Sequence, residues 1–253
     1  MDLYFFRHAQ FERLYNCSYT TPNEWTKYGI VHFGFSECFL LAGAICIILY
    51  LLILRAMCRA ELIKHSCFKI MLFLGLCDVS SILALCTTIG YMGINGTVPC
   101  SNIDFTYILG CLEAASWFSQ CSTCVLLVFN RCVDYFKPSW LTTMFAGRRT
   151  IIWLLVSFLH FVAGWLYSAP PIFSSVGMSY SFNLYDGISH PDTTISNSQN
   201  VGVFFLMDNV TFVATTSLLY GFFLMLFIWQ KMTGLPRKVS KMRKQRTEWR
   251  TIF

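Results

Sequence analysis

The chain has 253 residues, 55% of them hydrophobic and 13% charged, with a formal net charge of +6 and a mean hydropathy of +0.54. A single soluble domain is excluded by that balance, because the polar residues gather in a few connecting segments instead of alternating through the apolar ones. Nucleic acid is not an expected partner; the membrane is.

Residues 1–32 read as an extracellular N-terminal segment. They contain no continuous apolar core and no small-residue cleavage site, so no removable signal peptide is expected and the first span starts insertion. Five stretches follow that are long enough to cross about 30 Å of hydrocarbon at about 1.5 Å per residue. They cover residues 33–54, 70–92, 107–129, 151–173 and 203–229, and together form a transmembrane bundle over 33–229. In lipid each must be helical, since a lone helix satisfies its own backbone amides. The expected fold class is therefore all-α, a polytopic transmembrane helix bundle. Residues 230–253 read as a basic cytosolic loop and the start of a sixth helix at Arg250-Thr251-Ile252-Phe253.

Orientation follows from lysine and arginine. Sixteen of the nineteen lie in the first connection (Arg55, Arg59, Lys64, Lys69), in the third (Arg131, Lys137, Arg148, Arg149) and between Lys231 and Arg250. These positions alternate as a positive-inside protein requires, with the N-terminus outside and the C-terminal segment in the cytosol of a plasma-membrane protein. Two sequons, Asn16-Cys17-Ser18 and Asn95-Gly96-Thr97, fall outside and are glycosylation candidates at Asn16 and Asn95. A third, Asn209-Val210-Thr211, lies inside the fifth span. Of twelve cysteines most sit in apolar runs and behave as small hydrophobes. The Cys121-x-x-Cys124 pair is in mid-membrane with no histidine at zinc spacing, so neither a metal nor a cofactor is expected.

Ionisable groups at membrane depth need a partner or water, which makes them functional candidates. They are Glu37, Asp78, Glu113, His160 and Asp208. Asp78 shares a helical face with Ser81 and Thr88, and Glu113, Ser116, Gln120 and Thr123 form a stripe that Asn130 continues. The spacing predicts that this stripe faces the bundle interior. Helix-to-helix hydrogen bonding explains such residues without any ligand, and snorkelling to water would serve Glu37 and Asp208. His160, with Ser157 and Gly164 on its face, reads as a packing contact. Arg131 closes the third span at the cytosolic side.

In this order several segments carry a resemblance. They are Tyr15-Asn16-Cys17-Ser18 with Trp25, Cys67-Phe68-Lys69-Ile70-Met71 leading to Leu74-Gly75-Leu76-Cys77-Asp78, Phe129-Asn130-Arg131-Cys132, Phe145-Ala146-Gly147-Arg148-Arg149-Thr150 with Trp153, and Pro170-Pro171-Ile172-Phe173. The chain resembles nematode serpentine receptors of class T, which are seven-helix, GPCR-type chemoreceptor-like proteins. The resemblance implies a receptor for a small molecule, with Asp78 as the core aspartate, Arg131 as the arginine that contacts a heterotrimeric G protein, and Asn130 in the place of the usual acidic neighbour. It implies no enzyme. Residues 174–202 contain no cysteine, so the familiar bridge from the third span to that loop cannot form. Cys17 and Cys100, the two cysteines in outside segments, are the expected disulfide.

Against that seven-helix pattern five spans are present, and a chain truncated after the fifth is expected. Two functions remain open at this level: a chemosensory receptor that signals through its cytosolic face, or a non-signalling truncated isoform that assembles into an oligomer with full-length receptors. A transporter would need interrupted half-helices or internal repeats, which the sequence lacks. Glu113, Gln120 and Asp208 are the candidate ligand-binding residues, because the outer halves of the third and fifth spans converge.

Overall fold

The computed structural model describes residues 1–136, 139–188 and 203–233. Three short helices come first, α1 (Asp2–Phe5), α2 (His8–Leu14) and α3 (Pro22–Trp25). Next are α4 (Phe33–Met57), α5 (Ser66–Cys86, prolonged by π-helical Thr87–Met92), α6 (Ile103–Phe136), the short α7 (Ser139–Met144), α8 (Arg149–Tyr167) and α9 (Val203–Met232). Among the described residues α4, α5 with its extension, α6, α8 and α9 are the five helices long and apolar enough to cross a membrane. Contacts divide the chain into two compact units, Met1–Thr216 and Ser217–Phe253. The described part of the second is the C-terminal stretch of α9, where Leu218, Phe222 and Met225 are exposed. The expected basic loop and sixth-helix start from residue 234 onward lie outside the described residues.

The third spanning helix, α6, is the hub of the first unit. Half of its apolar window is buried, against 18% or less in each of the other four. The difference is chemical. Outward-facing side chains such as Leu41, Ile48 and Leu52 on α4 or Ile152 and Leu159 on α8 need no protein cover in a hydrocarbon solvent. By contrast α6 carries small and polar residues that let backbones come close. Its Ser119 hydroxyl lies 3.4 Å from the Cys77 thiol of α5 and 3.3 Å from the Ser157 carbonyl of α8. At Gly164 of α8 a Cβ would meet the Phe118 ring and sit 3.2 Å from the Ala115 backbone, so this crossing requires glycine.

The fourth span ends at Tyr167, not at residue 173 as the hydropathy implies. Pro170 and Pro171 supply no amide hydrogens and bias the preceding residues to extended backbone, and Ser168 already has ψ 141°. The chain then forms a hairpin of β1 (Ile172–Ser174) and β2 (Ser179–Ser181), paired antiparallel with Phe173 opposite Tyr180.

Residues 1–32 are packed, not extended. Phe11, Tyr15 and the fully buried Trp25 join Val98, Cys100, Tyr107, Cys111, Ile172 and Leu184 in one apolar cluster that closes this end of the bundle. The Trp25 indole donates to the Cys17 carbonyl at 3.0 Å, and the Met1 amino group donates to the Trp165 carbonyl at 2.7 Å and the Leu166 carbonyl at 3.1 Å. A cation at those last carbonyls of α8 also meets the negative end of the helix dipole. The Cys17 and Cys100 sulfurs are bonded, joining positions 83 residues apart with their Cα atoms 5.3 Å from each other.

Closing a loop of that length is worth about 4 kcal/mol in the chain-entropy account. Replacing both cysteines by serine is therefore expected to lower the unfolding temperature of the purified protein and to speed amide hydrogen exchange across residues 1–32. Equal exchange in both proteins would refute a stapled cap. Gly164→Leu, which forces α8 away from α6, should cost roughly 1–3 kcal/mol. Its check is the melting temperature beside that of Leu159→Ile on the lipid-facing side, which should barely move.

Candidate functional site

The stripe on α6 meets the bundle along its whole length. Ser116 donates to Ser80 of α5 at 3.3 Å, and Thr123 returns its hydroxyl to the Ser119 carbonyl at 2.6 Å. Gln120 is the branch point: its amide nitrogen lies 3.0 Å from Asp78 Oδ1 and 3.0 Å from Ser81 Oγ. Tyr50 of α4 donates to the other carboxylate oxygen, Asp78 Oδ2, at 3.0 Å. A carboxylate removed from water needs such donors, each worth about 1.5–3 kcal/mol when the acceptor is charged. Three helices are thus tied at one side chain. Tyr50 is absent from the sequence expectations, although it is the one hydroxyl in the apolar run of residues 38–54, which is the signal that marks it.

Further toward the capped end lies a cavity of about 270 Å³. It is lined by Ser81 and Leu85 of α5, Glu113, Ala114, Trp117 and Gln120 of α6, Pro171, and Phe205 near the start of α9. Two of the three candidate ligand-binding residues, Glu113 and Gln120, stand on its wall; Asp208 does not. Asp208 turns to α8 instead, where its Oδ1 is 3.3 Å from His160 Nε2 and its side chain is only 12% exposed. The expected snorkelling of Asp208 is overturned by that partner; His160 packs as expected, its ring 5.3 Å from Phe118, and meets Asp208 in addition. The position between cavity and α9 is taken by Trp117, whose indole donates to Asn209 Oδ1 at 2.8 Å.

Glu113 Oε2 is buried and makes no hydrogen bond among the described residues. Beside it stands Tyr180 of the hairpin, whose hydroxyl is likewise buried without one. Burial, and then the negative charge of Glu113, hold the Tyr180 phenol well above its usual pKa, so it stays a neutral donor. The hairpin thereby stands next to one wall residue of the cavity, Glu113, while Pro171 just before it lines the cavity itself. Hydropathy hides the hairpin, because the same apolar letters serve a membrane helix and a buried strand.

At the opposite end of α6, Asn130 is fully buried and donates to Ser66 at 3.0 Å, while its carbonyl oxygen has no partner. Arg131 is exposed beside it, with a guanidinium nitrogen 3.6 Å from the Met71 sulfur. The two sequon asparagines differ. Asn95 is exposed, with its amide nitrogen 2.7 Å from the Tyr91 carbonyl. Asn16 is half-buried, its side-chain oxygen accepting from the Ser18 amide at 2.9 Å and hydroxyl at 2.7 Å and its carbonyl accepting from Tyr185.

The sequence that builds this bundle has counterparts among known proteins. The profile of the family described as serpentine type 7TM GPCR chemoreceptor Srt matches residues 1–248. Serpentine receptor class T-55 of Caenorhabditis elegans is 23% identical over 237 residues, covering 91% of this chain and 62% of its own length. This chain thus spans about 62% of the curated relative it matches. Neither finding supports the expectation of a truncated assembling isoform. The family is one of receptors, not of enzymes. The chain is a multi-pass membrane protein and belongs to the serpentine type 7TM GPCR chemoreceptor family Srt.

Proposed function

We propose that the chain is a plasma-membrane chemoreceptor that takes a small molecule from outside into the cavity beside Glu113 and Gln120, and reports it to a heterotrimeric G protein at the surface around Arg131. One observation carries this reading: Gln120 lines the cavity and at the same time holds Asp78, the residue that ties α4, α5 and α6. A molecule that repositions Gln120 changes what three helices share. Occupancy then favours one bundle arrangement over another by the difference in binding free energy, which is the whole physical content of agonism. Exposed Arg131 and the basic residues of the first and third connections support a cytosolic partner face, and the exposed sequon at Asn95 supports the outside placement of the other end.

Filling the cavity tests the site. Ala114→Trp is expected to reduce the affinity of any ligand found by screening at least tenfold, about 1.4 kcal/mol, with unchanged expression and melting temperature. An unaltered affinity would move the site elsewhere. The output is separable: Arg131→Ala should abolish ligand-dependent nucleotide exchange on the G protein while leaving ligand binding intact, and loss of both together would contradict a role confined to the cytosolic face. Orientation has its own check. Asn95→Gln should remove a glycan from protein made in sealed microsomes, and an unglycosylated wild type with protease-accessible residues 93–102 would reverse the topology.

A further inference from the structure

The chemistry of the cavity wall narrows the ligand further than its shape does. Leu85, Ala114, Trp117, Pro171 and Phe205 give an apolar, partly aromatic wall, so the body of the ligand is apolar. Two of the donors that face this space are committed, the Gln120 amide to Asp78 and Ser81 and the Trp117 indole to Asn209, and the third, the Ser81 hydroxyl, is itself held by Gln120. What remains is the Glu113 carboxylate, with Oε2 buried and without a hydrogen bond. Among the described residues no lysine, arginine or histidine lines the cavity. His160, the basic side chain of the neighbouring α8 at this depth, is engaged with Asp208, while Lys69 and Arg131 lie near the far ends of α5 and α6. A buried carboxylate without a protein cation is costly, and a cation brought by the ligand relieves that cost.

Resting on the reading of the cavity as the ligand site, we propose that its ligand is a small organic ammonium: one protonated amine, on an apolar or aromatic body, set against Glu113 and between the faces of Trp117 and Phe205. Both aromatic faces attract a cation and an apolar ring alike. The cavity volume of about 270 Å³ lies just under the range of about 300–1,000 Å³ that holds drug-sized molecules, so the body is small. Tyr180, whose phenol is held neutral beside Glu113, adds no charge of its own to balance the carboxylate.

Three probes of one shape separate the possibilities: 2-phenylethylammonium, 2-phenylethanol and phenylacetate, each titrated into the full chain in lipid nanodiscs, with binding read by melting temperature and by calorimetry. The amine is expected to bind roughly tenfold or more tightly than the alcohol, and the acid not at all. Glu113→Gln should erase the preference for the amine and leave alcohol binding as it was, which also shows that the variant folds; Glu113→Asp should keep part of it. The proposal is overturned if the alcohol or the acid matches the amine, if Glu113→Gln leaves amine affinity unchanged, or if no probe binds. Alcohol binding that Ala114→Trp abolishes would retain the cavity as the ligand site and remove only the ammonium. Binding of any probe that Ala114→Trp leaves untouched would remove the cavity as well.

Discussion

The absence of water at membrane depth is the constraint from which the rest of this structure follows. A helix settles its own backbone there, but Asp78, Glu113, Gln120 and Asn130 each bring polar atoms that only another part of the protein can meet. All of them face inward on α5 or α6, and three find partners: Asp78 with Tyr50 and Gln120, Gln120 with Ser81 as well, Asn130 with Ser66. The polar residues therefore specify which helices touch and at what height, while apolar side chains are content against lipid. That is why α6, the least hydropathic of the five spans, is also the most enclosed.

Glu113 is the member of this set whose Oε2 no described group meets. Its neighbours Trp117 and Gln120 turn their donors elsewhere, to Asn209 and to Asp78. The cavity and the polar core share Gln120, so the proposed ligand site and the junction of three helices are neighbours along one helix. Arg131 lies three turns further along α6, past fully buried Thr123 and Asn130.

Much of this was legible before any coordinates. The five spans and the inward stripe on α6 follow from hydropathy and from helical spacing, because lipid leaves so few alternatives. Glu113 and Gln120 stand out as polar letters in an apolar run. What the sequence hides is pairing between elements. Asp208 reads as an outer-third carboxylate free to reach water, and only the fold brings His160 within 3.3 Å of it. Tyr50 is a common residue until Asp78 faces it. The hairpin after α8 is concealed because its apolar residues extend the hydropathy of the fourth span, although Pro170-Pro171 marks the break in plain view. The packed cap over residues 1–32 has a weaker trace, in the aromatic spacing of Phe11, Tyr15 and Trp25.

The bond between Cys17 and Cys100 has a mechanical consequence. It fastens the N-terminal segment to the short turn that leads into α6, so the covering layer cannot peel away from its own end like a tail. If the cavity takes a ligand, as proposed, this layer gives way at that end only together with the turn to which it is bonded.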